Sequence, residues 1–99
     1  MIADEVICGF GRTGEMFGST HFDIEPDMMV VAKQLSSGYQ PISGLLISDA
    51  VYQVMREQKA GYGMFGHGYT YSGHTLPAAV ALETLKIYEE RNLLPRVRD

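Results

Sequence analysis

Three stretches of the 99-residue sequence hold side chains whose types could do chemistry. The first is "MMVVAK", residues 28 to 33, a continuous apolar run ending in Lys33. A neutral lysine amine attacks carbonyl carbon, and burial at a strand end favours the neutral form by penalising the charge. The competing reading is a lysine whose stem lies on apolar neighbours while its ammonium stays wet, and spacing alone favours it. The second stretch is "IADEV", residues 2 to 6. On a strand Asp4 and Val6 share one side and Glu5 faces the other. Asp4 is either a ligand-facing charge at a strand end or a capping, solvated acid. The third is "HGYTYSGH", residues 67 to 74. Glycines there permit close approach of backbone N–H groups, and Tyr69 and Thr70 add hydroxyls, which are the ingredients of a phosphate cradle. Composition alone favours a surface loop.

A fourth pattern, "CGFGRTG" at residues 8 to 14, spells G-x-G-x-x-G through Gly9, Gly11 and Gly14. A dinucleotide turn also needs a helix opening at the third glycine, whose N-terminal amides hold the pyrophosphate, and an acid about 20 residues on. The segment after Gly14 reads "EMFGSTHFDIEPD", with Gly18 one turn in and Pro26 closing it. A full helix does not fit, and the expected acid would fall inside the apolar run. The pattern therefore reads as a loop, or as a place where backbone passes close to a site.

The elements that must position these residues alternate between strand and helix patterns. Residues 1 to 7 read as a strand interrupted by two acids. Residues 8 to 27 read as loop, with one short turn around Ser19 to Phe22. "MMVVA" has strand length and suits burial on both faces of a parallel sheet. "ISGLLIS", residues 42 to 48, is the next strand, and Ser48 or Asp49 can cap a helix to about Gln58. Residues 60 to 74 hold five glycines and form no regular element. A long helix is expected from about Leu76 to Arg91, with Ala78, Leu82, Leu85 and Tyr88 on its apolar face, Pro77 in its first turn and Asn92 at its stop. Met28, Met29 and Met55 are core candidates. The class is α/β, where ligands bind at the carboxyl ends of strands; Asp4 and Lys33 both stand at such ends.

Composition narrows the partners. Hydrophobic residues make up 45%, charged residues 20%, and the net charge is −4. No basic stripe points to nucleic acid, and no apolar run reaches membrane-span length. The N-terminus has no basic segment of a signal peptide. The single cysteine, Cys8, excludes an internal disulfide framework and fits a reducing cytoplasm. His21, His67 and His74 show no metal-ligand spacing with Cys8, so no metal is expected.

Together "IADEVICGFGRTGEMFG" (2–18), "PDMMVVAKQLSSGYQPIS" (26–43) and "FGHGYTYSGH" (65–74) resemble the class III, pyridoxal-phosphate-dependent aminotransferases, with the ω-amino acid:pyruvate transaminases the closest flavour. The resemblance runs from Ile2 to Val97. It implies part of a fold-type-I large domain, a mostly parallel sheet with flanking helices. Residues 1–75 correspond to the later part of that domain and 76–99 to the long helix leading towards the small domain. Family chains are several times longer, so the expectation is a partial chain, or a truncated product inactive alone.

The resemblance also implies roles. Lys33, in "AKQLSSGY", forms the imine with pyridoxal 5'-phosphate and then shuttles the substrate Cα proton. Asp4 holds the proton on the cofactor ring nitrogen, and Val6 packs on the ring. Thr70, with the Tyr69 backbone beside it, reaches the phosphate of the cofactor bound to the neighbouring subunit, which makes a homodimer part of the site. The implied reaction moves an amino group from an amine or ω-amino acid to an α-keto acid such as pyruvate. Aminomutase or decarboxylase chemistry on the same cofactor is the alternative. In one departure, the family follows "SGH" directly with proline, whereas here the proline comes two places later, at the start of the long helix.

Overall fold

The computed structural model describes residues 1–57, 61 and 63–98. Strand β1 spans Ile2–Asp4. It is shorter than the expected 1 to 7, because the Asp4 carboxylate accepts the Val6 N–H at 3.1 Å and turns the chain. The glycine loop comes next, and then α1, Gly18–His21, a single turn. Its length leaves no place for a dinucleotide helix. Strand β2 is Met28–Val31, and a 3-10 turn at Lys33–Ser36 succeeds it. Strand β3 is Gly44–Ile47 and helix α2 is Asp49–Glu57. Ser48 caps α2, its hydroxyl accepting the Val51 N–H at 3.4 Å. Helix α3 is Thr75–Glu90 and α4 is Pro95–Arg98.

The strands form one sheet in the order β1-β2-β3. β1 and β2 are parallel, with Asp4 opposite Val30. β3 runs antiparallel to β2, with Gly44 opposite Val31. The sheet is thus mixed, parallel where the two expected site residues leave it. The Met1 carbonyl accepts the N–H groups of Asp27 and Met28, joining the start of β1 to the start of β2.

The small core centres on Phe10, Val31 and Ala81. Phe10 meets the Phe17 ring edge-on at 5.5 Å. In β2 only Val31 is buried and Met28, Met29 and Val30 are half-buried, so the two-face burial expected of "MMVVA" is incomplete. On β3, Leu45 and Leu46 point to opposite faces, and each is more than half exposed. Gly44 and Ile47 are half-buried, so each face of that strand is only partly covered by the described residues.

Helix α3 opens on His74, whose Nδ1 accepts the Leu76 N–H at 3.3 Å, with Pro77 buried in the first turn. The displaced proline is therefore accommodated within the first turn of the helix. Asn92, with φ 46, is left-handed and stops the helix as expected. The buried face differs from the sequence expectation: Pro77, Ala81 and Thr84 face inward, and Leu82 is 69% exposed. Apolar residues lie nearly all around this helix, so periodicity could not choose the face. Packing against the 3-10 turn chose it. The chain end returns to the glycine loop, where Arg98 donates to the Gly14 carbonyl at 2.9 Å and pairs with Glu15 at 2.6 Å.

Candidate active site

Parallel pairing of β1 and β2 puts their carboxyl ends at one sheet edge. Asp4 is the last residue of β1, and Lys33 comes two residues after the end of β2. The topology therefore puts both at the same end of the sheet, and Val6, two residues past β1, donates its N–H to the Asp4 carboxylate. Asp4 is exposed. One of its oxygens accepts the Val6 N–H, and the other has no partner among the described residues. Val6 is half-buried.

Lys33 opens the 3-10 turn with φ 43, a left-handed conformation that a residue with a Cβ adopts at a cost of about 1–3 kcal/mol. The chain then doubles back. Ser37 and Gly38 are also left-handed, and the Ser36 hydroxyl, 1% exposed, donates to the Gln40 carbonyl at 2.5 Å. The Lys33 side chain is exposed, with no hydrogen bond or ion pair among the described residues. This corrects the expectation of a buried amine, since the described residues leave that side chain open to solvent. The other lysines differ: Lys86 on α3 lies between Glu83 and Glu90, 3.9 and 3.8 Å away. Lys59 is outside the described residues.

Tyr69 and Thr70 are exposed. The Tyr69 N–H donates to the Ser72 hydroxyl at 2.9 Å, and the Tyr69 carbonyl accepts the Ser72 N–H at 3.0 Å. Thr70 has no hydrogen-bond partner among the described residues. Phe65, His67 and Tyr69 meet ring to ring at 5.9 and 5.0 Å along an extended run. Among the described residues, the hydrogen bonds and ring contacts of residues 63–74 stay within that segment and α3. No hydrogen bond or ring contact among the described residues ties Thr70 to Asp4 or Lys33.

Ser36 is a site-supporting residue that sequence reasoning missed. Its signal is weak, because serines in a turn-rich stretch are ordinary and burial is a tertiary property. A cleft of about 370 Å³ opens nearby between Phe10, Arg12, Gln34, Tyr88 and Arg96, and none of the expected site residues lines it. Among the described residues no group of His, Cys, Asp or Glu could hold a metal ion. Nor is any helix there long and apolar enough to cross a membrane.

The class-III aminotransferase family model matches residues 1–99. The chain belongs to this family. It is 58% identical over 96 residues to gamma aminobutyrate transaminase 3, chloroplastic, of Solanum lycopersicum, covering 97% of this chain and 18% of that protein. It is 52% identical over 93 residues to the diaminobutyrate–2-oxoglutarate transaminase of Halomonas elongata, covering 94% of this chain and 20% of that one. The ω-transaminase of Pseudomonas jessenii, solved in complex with PMP, superposes with a TM-score of 0.87 at 59% identity, over 94% of this chain and 20% of its own. The chain thus spans about a fifth of the length of these relatives. The α/β expectation holds: this is part of the fold of the class-III transaminases.

Proposed function

We propose that these residues carry part of the active site of a transaminase that moves an amino group from an amine or ω-amino acid to an α-keto acid such as pyruvate. The observation that carries the proposal is the parallel pairing of β1 and β2, which sets Asp4 and Lys33 on one sheet edge. The donor set fits pyridoxal 5'-phosphate: a carboxylate with one oxygen unengaged and a lysine amine without a partner among the described residues, and a half-buried valine between them in the chain. When bound, that cofactor supplies an electron sink for the substrate's Cα. Asp4 holds the proton on the ring nitrogen by charge attraction. Val6 offers an apolar surface to the ring. The Lys33 amine anchors the cofactor and, when released, moves a proton at the substrate's Cα.

Thr70, with the Tyr69 backbone beside it, is assigned to the phosphate bound by the neighbouring subunit of a homodimer. Its hydroxyl, without a partner among the described residues and on an exposed segment, supports this. Residues 1–75 are read as the later part of the large domain and 76–99 as the helix towards the small domain, in keeping with the start of α3 at Thr75. The single cysteine supports a reducing cytoplasm.

The test is an amino-acceptor assay on the full-length polypeptide carrying these residues. Alanine formed from pyruvate in step with donor consumption is the expected result. An isomerised or decarboxylated product formed without any acceptor overturns the proposal in favour of aminomutase or decarboxylase chemistry.

A further inference from the structure

Between Asp4 and Val6 stands a buried acid that the proposed transamination chemistry does not use. Glu5 is 3% exposed. Its Oε2 accepts the Gly18 N–H at 2.9 Å, and its Oε1 accepts the Ser19 N–H at 2.6 Å. Its own N–H donates to the Val30 carbonyl at 2.9 Å, one step beyond the last pair of the β1–β2 ladder. Its carbonyl accepts the Gly9 N–H at 2.8 Å. Every polar group of Glu5 is engaged, and the four bonds reach β2, the glycine loop and α1.

The surroundings are shaped to this arrangement. A Cβ on Gly9 would lie 2.7 Å from the Glu5 carbonyl oxygen. A Cβ on Gly18 would lie 3.0 Å from the Cys8 Cβ and 3.2 Å from Glu5 Oε2. A side chain at either glycine would crowd this acid. A buried carboxylate satisfied by two N–H groups is rigid, because losing either bond leaves a polar group stranded without water.

We infer that Glu5 is the positioning residue for Asp4 and Val6. Its carboxylate ties the end of β1 to the returning Gly18–Ser19 backbone and so sets where its two neighbours stand at the sheet edge. The inference rests on the proposed role of Asp4 towards the cofactor. Glu5→Gln is the informative variant, since its amide nitrogen would face a backbone N–H, donor against donor, with shape preserved.

The experiment uses the full-length polypeptide loaded with pyridoxal 5'-phosphate and reads cofactor Kd and the pH midpoint of its visible absorption. Glu5→Gln is expected to raise Kd about tenfold and to displace the midpoint. Val51→Ala, on α2 away from the edge, serves as a control for lost stability and leaves both readings in place. Should Glu5→Gln fail to fold, Gly18→Ala presses on the same carboxylate and shifts both readings in the same direction by less. Unchanged readings in the foldable variant, or equal changes in Val51→Ala, overturn the inference. Asp4→Asn separates the two ideas. If it leaves Kd and midpoint unmoved, the role of Asp4 fails; if it moves them and Glu5→Gln does not, only the role of Glu5 fails.

Discussion

Lys33 combines an amine without a hydrogen bond or ion pair among the described residues and a left-handed backbone in a residue that is not glycine. Strain of this kind persists where the surroundings hold it, here through the turn closed by Ser36. Lys33→Gly should therefore stabilise the protein by about 1 kcal/mol in denaturant unfolding while abolishing transamination. A loss of stability would show that the strain is not real. Borohydride reduction of the cofactor-loaded protein should label Lys33, and a label on Lys59 or Lys86 would refute the assignment. Asp4→Asn should lower turnover by ten- to a thousand-fold, roughly the protonated fraction lost when a neighbouring charge worth 1–3 pKa units is removed. Both residues are visible in the string as an acid and a lysine at the ends of apolar runs, but their spacing favours the bland reading and only the family resemblance implies their roles. The conformation at Lys33 was not visible, since it depends on the Ser36–Gln40 hydrogen bond and on packing by α3.

At the scale of elements, the strands and helices were legible and their faces were not. The ends of β2, β3, α2 and α3 come from apolar runs, Ser48 and Asn92. The inward face of α3 came from its contact with the 3-10 turn. The glycine loop is where element geometry makes a sharp prediction. Gly9→Ala puts a methyl against the Glu5 carbonyl, which is backbone and cannot move aside, so a loss of about 1–3 kcal/mol is expected on chemical unfolding.

For the whole molecule, open faces are the dominant fact. Ile2, Leu45, Leu46 and Met64 are all more than half exposed. The 99 residues alone should bind a hydrophobic dye and associate at micromolar concentration, whereas a monodisperse monomer would contradict this. The reach of Thr70 across a dimer has a decisive test. Mixed dimers of Lys33→Ala and Thr70→Ala chains, assayed at limiting cofactor, should regain activity. One of their two sites would then combine an intact Lys33 with the partner's intact Thr70. No recovery would mean that Thr70 serves its own subunit or none.

By itself the sequence determined the α/β class, the motif order that marks the family, and the candidates Lys33, Asp4, Val6, Tyr69 and Thr70, because residue type and local pattern are properties of the string. Tertiary structure decided the rest. Parallel pairing set Asp4 and Lys33 on one edge, the buried Glu5 tied β1 to α1, and the 3-10 turn gave Lys33 its strained backbone. Each depends on hydrogen bonds or packing between residues that the chain's spacing does not pair, so the partners cannot be read from the string.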